Sequence, residues 1–590
     1  MASMAESPGG PDRRRFLLLA GAVAGAGAAG ALALAASGRH GTIPAGHATA
    51  SPGRGPSPHG SATVAGRPSP VASDWAALRR QLSSGRLIQP GSAGYEQARL
   101  LFDPRFDDAR PEAVAYCAVP QDVSACLDFA RSFSMPIAVR SGGHSYGGWS
   151  TTTGLIIDVS AMSDVRVDVA ARTARVGAGT LLIDLYSQLA AAGLAVPGGS
   201  CPTVGVSGLA LGGGIGVVGR RYGLTCDNIL AVQIVTADGA VRECGPAGDP
   251  DLFWACRGGG GGSFGVVTAF TLRTHPAPDL VLFYLQWPWS QAAAVLSAWQ
   301  SWAPFAPDEL WSNLHLAAAP GSAAPSISVG GTCAGAVTGA QAQLDRLYQA
   351  VGSAPASSFV QAEPYLTAML VEAGCSTLSA AQCHLPAQNP AGVLGREPEY
   401  AKSDFFAAKL PPRGISTLIA AVERMQTVRG APGAAGGVAL DAFGGVINRI
   451  DPAATAFVHR SALFLAQYTT IWTPARATAD GEPTADHDAR RTRAGAAAGG
   501  GTGQPGGASG ARTAAVARQR NWLRSCWADM RPYASGEAYQ NYADPDLADW
   551  QQAYYGANYP ALQRIKAAVD PADVFRFPQS IELPTRNGHR

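Results

Sequence analysis

The strongest constraint on this chain is the crowding of three glycine-rich segments into residues 140–268. The first reads Arg140-Ser141-Gly142-Gly143-His144-Ser145-Tyr146-Gly147-Gly148, with strand-like residues on either side. The second runs from Cys201 through Pro202-Thr203-Val204-Gly205-Val206-Ser207-Gly208 to Gly212-Gly213-Gly214-Ile215-Gly216. The third is Arg257-Gly258-Gly259-Gly260-Gly261-Gly262-Ser263-Phe264-Gly265-Val266-Val267-Thr268. Glycine has no Cβ, so backbone amides can close on a ligand, and runs of N–H groups form nests for phosphate. One such loop says little, and a lone His in a turn is more often structural. Three in one region predict a large ligand touched mainly by backbone, of the size of a dinucleotide. A Rossmann reading fails, because Gly212-Gly213-Gly214 follows no strong strand and no acidic residue stands at the right distance in a βαβ unit. A P-loop reading fails for want of Gly-Lys-Ser/Thr.

The rest of the chain gives these loops a setting. Its 590 residues are too many for one ordinary domain. Strands are predicted at Ile137–Arg140, Leu155–Val159, Thr173–Ala178 and Ile229–Thr236, with a hairpin turn at Asp238-Gly239 and a helix from Leu181 to Ala192 capped by Gly193. From residue 278 the pattern changes to longer strands, such as Leu280–Leu285, and amphipathic helices, such as Gln341–Val351. This predicts a second α+β domain. Residues 476–517 are Gly/Ala/Arg-rich without periodicity and are expected to be a disordered insertion. A compact tail follows, from Trp522 to Leu583.

The ends and the charges narrow the class. Residues 1–36 carry Arg13-Arg14-Arg15-Phe16-Leu17 before a Gly/Ala-rich apolar run, which resembles a twin-arginine export signal. An uncleaved membrane anchor is the alternative, although Gly and Ala make the run weakly hydrophobic. Cleavage would leave no stable membrane association. Residues 37–72 are rich in Gly, Pro, Ser and Ala and predict a flexible linker. A net charge of +2 gives no electrostatic case for nucleic-acid binding. The ten cysteines are irregularly spaced with no CxxC pair, so no metal site is expected. Cys375 and Cys383 flank a short loop and could pair after export.

The His144 loop, the Cys201 segment, Asp251-Leu252-Phe253-Trp254-Ala255-Cys256-Arg257-Gly258 and the tail together resemble the berberine bridge enzyme-like FAD-linked oxidases. The tail contributes Tyr539-Gln540-Asn541-Tyr542-Ala543-Asp544, Tyr554-Tyr555-Gly556-Ala557-Asn558, Phe575 and Gln579-Ser580-Ile581. The likeness spans about residues 95–583, in the family's order. It implies an α+β protein with a two-part PCMH-type FAD-binding domain of the vanillyl-alcohol oxidase type at 73–277. A substrate domain is implied at 278–521, and a C-terminal segment at 522–590 that completes the flavin site.

Carried over position by position, the resemblance ties FAD to His144 at its 8α-methyl carbon and to Cys201 at C6. It puts further cofactor contacts at Arg140, Ser141, Gly142, Gly143, Ser145, Val204, Gly205, Gly208, Gly214, Gly216, Val267 and Asn541. Tyr539 and Asn541 share a face if Tyr539–Tyr542 is a strand. Tyr539 is then the expected base, with Tyr542 competing. A phenol needs help to act near neutrality, because its ordinary pKa is about 10. Gln467, polar in the apolar run Leu463–Thr469, is expected to orient substrate, and Tyr146 to stand beside the flavin. Val204 stands where relatives gate O2, which predicts an oxidase releasing H2O2. Ile215 departs from the aromatic that relatives often carry there. The implied substrate is a small-molecule alcohol or hemiacetal, on an oligosaccharide or glycosylated natural product. A dehydrogenase or ring-forming enzyme with another acceptor stays open, as does a carbohydrate-binding protein with an inactive flavin fold. Export machinery is the one expected protein partner. The sequence assigns no oligomeric state.

Overall fold

The structure is a computed structural model that describes residues 69–474 and 506–585. The expected export signal, all but the end of the linker, and residues 475–505 lie outside the described residues. The chain is α+β throughout.

The first half builds two main sheets, with a small two-stranded one between Leu194–Ala195 and His275–Pro276. Strands Ala113–Tyr116, Leu155–Asp158 and Ile137–Arg140 run parallel, with short Leu87–Ile88 antiparallel at the edge. The second sheet is antiparallel, in the order Val241–Cys244, Ile229–Val235, Val266–Arg273, Thr173–Gly177, Val165–Asp168. Leu155, Ile156 and Ile157 are fully buried, as an unbroken apolar run in a covered parallel sheet should be. Helix Pro120–Phe133 touches strands of both sheets. The strands at 137, 155, 173 and 229 and the helix near 181 stand where the sequence predicts them. Gly239 supplies the positive φ of the predicted hairpin.

The second half is one antiparallel sheet of seven strands: β1 (Leu280–Trp287), β2 (Leu310–Ala318), β3 (Ser326–Ala334), β4 (Ser357–Glu363), β5 (Glu399–Phe406), β6 (Ala435–Ala442) and β7 (Phe464–Ile471). Their order is β4-β1-β3-β2-β6-β7-β5. Successive side chains alternate faces. One face carries Phe283, Leu314, Leu316, Val438, Leu440, Phe464 and Ala466 into an apolar core. Helices α1 (Ala292–Trp302), α2 (Val337–Val351), α3 (Pro412–Glu423) and α4 (Gly506–Met530) cover that face. In α2 the spacing Ala340, Leu344, Leu347 makes the buried stripe, and Gly352 in the left-handed region ends the helix. Trp299 of α1 is fully buried and donates its indole N–H to Ser312 at 3.0 Å. Truncating such a residue costs about 3–5 kcal/mol.

The expected disordered insertion is corrected at its end. Residues 506–517 are the start of α4, a continuous helix to Met530. Alanines favour helix without periodicity, and Ala515 and Val516 pack with Ala431 and Trp472. Cys375 and Cys383 form a disulfide. No helix among the described residues is long and apolar enough to cross a membrane.

Buried polar links join the halves. Arg220, 1% exposed, donates to the carbonyls of Pro304, Ala306 and Phe443. Arg460 pairs with Asp227 at 2.7 Å, both buried. The tail returns to the first half: Lys566 pairs with Asp570 and donates to the Ser263 carbonyl at 2.9 Å.

Candidate active site

The polar face of the seven-stranded sheet looks toward the glycine-rich loops across a cavity of about 360 Å³, within the range of small-molecule and cofactor sites. The register explains that face. Asn313 of β2 pairs with Asp441 of β6, and His315 with Ala439. Ala439 pairs in turn with Gln467 of β7, and Gln467 with Ser403 of β5.

On the opposite wall the first two glycine-rich loops are clamped together. A Cβ at Gly142 would collide with the Gly205 backbone, and one at Gly205 with Ser141 and the Gly142 amide. The hydroxyls of Ser141 and Ser207 both donate to the Ala178 carbonyl, at 2.8 and 2.7 Å. His144 and Cys201 thus line the same cavity. Thr203 stands between them. Its hydroxyl is 2.9 Å from His144 Nε2, and its amide and hydroxyl stabilise the Cys201 sulfur. His144 stacks on Phe102 with centroids 4.0 Å apart. Burial holds the His144 pKa down to about 3, so the imidazole is neutral. Burial pushes the Cys201 thiol up to about 11, against the pull of Thr203.

Most residues predicted from the sequence meet here. Ser141, Gly142, Gly143, Ser145, Val204, Gly205, Gly208, Gly216, Val267, Asn541, Gln467 and Tyr146 line the cavity. Arg140 and Gly214 do not. Arg140 stands directly opposite Asp158 on the neighbouring parallel strand and pairs with it. Gly214 gives its N–H to the Tyr539 hydroxyl at 2.9 Å, and a Cβ there would strike Thr225.

The tyrosines are also corrected. Residues 539–542 form a turn, closed by the Tyr542 N–H on the Tyr539 carbonyl at 2.9 Å. Tyr539 and Asn541 still meet, because Asn541 Nδ2 donates to the Tyr539 hydroxyl at 2.9 Å. That hydroxyl is therefore held by two protein donors, in a ring 1% exposed whose pKa burial raises. Tyr542 reaches the cavity with no such tether. Its ring lies 5.7 Å from that of Tyr146, whose hydroxyl accepts from Gln467 Nε2 at 3.0 Å. Of the charges that act on Tyr542, that of Asp441 is the strongest. Burial raises the Asp441 pKa to about 7, so this carboxylate gains and loses a proton near neutrality.

Several lining residues escaped the sequence reading: Trp311, Asn313, His315, Glu372, Glu397, Glu399 and Asp441. The signal that picked Gln467, a polar residue within an apolar strand, was equally present at Asn313, His315 and Asp441. Among the described residues no cluster of His, Cys, Asp or Glu suits a metal ion.

A flavin dinucleotide fits this lining. Gly208 faces open space on the cavity wall, and Gly261 is nearly as clear. The Gln540 carboxamide oxygen is buried in the same wall without a hydrogen-bond partner. Such an atom needs an outside partner.

The family comparisons agree with this geometry. A family model for an FAD binding domain matches residues 111–245, and the "Berberine and berberine like" model matches residues 538–582. The FAD-linked oxidoreductase YvdP of Bacillus subtilis is 30% identical, over 84% of this chain and 98% of its own. The solved structure of BBE-like 1 from Physcomitrella patens is 28% identical, with a TM-score of 0.71 over 86% of this chain and 99% of its own. Phl p 4, a grass pollen allergen with glucose dehydrogenase activity, is 26% identical, with a TM-score of 0.71 over 87% and 99%. Relatives of this kind place PCMH-type flavin binding in the first half of the chain. The chain belongs to the berberine bridge enzyme-like family of FAD-linked oxidoreductases.

Proposed function

We propose that this protein is an exported oxidase that takes a hydride from an alcohol or hemiacetal carbon, on an oligosaccharide or glycosylated natural product, and returns the electrons to O2 as H2O2. The carrying observation is that His144 and Cys201, joined through Thr203, line one cavity with Gln467, Tyr146 and Tyr542. In this reading FAD is held by two covalent bonds, through His144 and Cys201, and supplies the two-electron acceptor beside the substrate carbon. The neutral His144 imidazole suits a nucleophile at the ring edge.

The side chains of the opposite wall do the remaining work. Gln467 holds the Tyr146 hydroxyl, which fixes that ring against Tyr542 and orients the substrate. Tyr542 receives the substrate hydroxyl. Burial and surrounding negative charge disfavour a free Tyr542 phenolate, so the proton passes on to the Asp441 carboxylate. Asn541, tethered to the Leu209 carbonyl at 3.0 Å, presents its carboxamide beside the flavin. Tyr539 braces the Gly214 turn instead of taking the proton.

Val204 on the cavity wall supports O2 as the acceptor. Phl p 4 is described as having glucose dehydrogenase activity, and an isoleucine-to-valine variant of it as a glucose oxidase. The arginine run at 13–15 supports export, as does the disulfide, a bond typical of oxidising compartments.

Acid precipitation of the purified protein tests the attachment. Yellow colour kept in the washed pellet is expected, and flavin released to the supernatant removes the double link. His144→Ala and Cys201→Ala then separate the two bonds. Oxygen consumption with Val204→Ile tests the acceptor, with about a tenfold fall expected and an unchanged rate with an artificial acceptor. Fractionation of cells making Arg14→Lys/Arg15→Lys protein tests the export route.

A further inference from the structure

Deeply buried carboxylates in this protein come with cations nearby. Asp158 pairs with Arg140, Asp227 with Arg460, Asp404 with Arg531, Asp544 with Lys402 and Asp570 with Lys566. One exception, Asp122, accepts from the Ser83 hydroxyl and from backbone amides instead. The others converge on one place. Glu372, Glu397, Glu399 and Asp441 all line the cavity, and none has an ion pair among the described residues. The one Lys or Arg in that lining is Arg576, next to Phe577 in the returning tail.

Glu372 is the sharpest case. It is the last residue of helix Tyr365–Glu372, is 5% exposed, and has no hydrogen-bond partner for its carboxylate. A second feature points the same way. His315 Nε2 and Trp311 Nε1 are buried without partners in residues 5% and 7% exposed, and both residues line the cavity. Four carboxylates without an ion pair, of which Glu399 is met by the Tyr146 hydroxyl, and two idle ring nitrogens on one wall leave a set of bonds for a ligand to complete.

We propose that this wall is a cation subsite, in which Glu372, with the charge of Asp441 behind it, holds the protonated amine of an aminated sugar or cyclitol. The inference rests on the oxidase reading and narrows its substrate class. A neutral hydroxyl offers a carboxylate one donor and leaves the charge uncompensated. An ammonium offers three donors and a full positive charge. Hydroxyls beside the amine complete the partners of Trp311 and His315. The titratable groups beside Glu372 from neighbouring elements are Asp441 on β6, whose charge acts on it, and His315 on β2 and Tyr284 on β1, which line the same recess. With burial and Asp441 holding the Glu372 proton on up to about pH 8, an arriving ammonium displaces that proton to solvent.

Calorimetric titration of the purified full chain with D-glucosamine, D-glucose and N-acetyl-D-glucosamine tests this. It is run at pH 7 in two buffers of different ionisation enthalpy. Glucosamine is expected to bind at least about tenfold more tightly than the two neutral sugars, with net proton release. Glu372→Gln is expected to erase both the preference and the release. Lowering the pH to about 5 is expected to weaken glucosamine binding in the unmodified protein, because the ammonium must then displace the Glu372 proton against a higher proton concentration. Equal affinities, a preference for a neutral sugar, a preference that survives Glu372→Gln, or no binding of glucosamine each overturn the proposal. The measurement needs no flavin signal. Yellow protein indifferent to charge removes the cation subsite alone, and colourless protein that still prefers the amine removes the oxidase reading alone.

Discussion

The two walls of the cavity are made of different material. The loop wall is mostly backbone and small side chains, with neutral His144 and Cys201 at its edge. The sheet wall is side chain: carboxylates, amides, indole and imidazole spaced every second residue along strands. A wall of backbone tolerates little change, because at Gly142, Gly205 and Gly216 a single added carbon meets main chain. A wall of side chains can be rewritten one residue at a time without disturbing a strand. The first kind of wall suits a cofactor that a whole family shares, and the second a substrate that differs from member to member.

The comparison can be broken first at the glycine clamp. Gly205→Ala puts a Cβ against Ser141 and the Gly142 amide, so loss of most bound flavin is expected, with destabilisation of about 1–3 kcal/mol. The ratio of visible to protein absorbance and thermal melting read the two effects. Asp441→Asn on the other wall should leave the flavin in place and lower turnover about 10²–10⁴-fold. In the unmodified enzyme kcat/KM should rise with pH through about 7, as Asp441 loses its proton and becomes able to accept one. The variant should lose that limb of the profile.

The tyrosine pair sharpens the contrast further. Tyr542→Phe should slow turnover by about 10–100-fold with little effect on melting. Tyr539→Phe removes the acceptor of two hydrogen bonds, and a cost of about 1–3 kcal/mol in stability is expected with a smaller kinetic change. The reverse ranking would restore Tyr539 as the base. The smallest effect concerns Glu372, whose pKa burial raises from an ordinary 4.5 to about 8. A carboxylate held up in the fold stabilises it fully below its unfolded pKa, and that contribution is lost as pH rises through the folded value. Glu372→Gln should therefore melt progressively higher than the parent as pH goes from about 4.5 to 8, by a few degrees at most.

The same division decided what could be read from the sequence. Gly142 with His144, and Cys201 with Gly205, each fall within one short glycine-rich motif recognisable on its own, so the loop wall was visible. The purpose of its glycines was only half visible, since Gly142 and Gly205 serve each other as much as any ligand and Gly214 serves Tyr539. Arg140 was expected to touch the cofactor because nothing local reveals that Asp158 stands opposite it. The sheet wall was nearly invisible. Asn313, Asp441 and Gln467 come from strands distant in sequence and are united only by register. The strand expected at Tyr539–Tyr542 is a turn, which local alternation cannot signal, and that turn decides which phenol is tethered. The helix over 506–517 escaped because its composition has no stripe to mark the side that packs.

Arg220 carries a last consequence. Its guanidinium is sealed inside the protein and bound to carbonyls at Pro304, Ala306 and Phe443, all on the far side of the junction between the halves. Parting the halves would strand a charge and three acceptors at once. The molecule is thus riveted and not hinged: the spacing between the loop wall and the sheet wall is set when the chain folds, and a substrate has to suit that spacing as it stands.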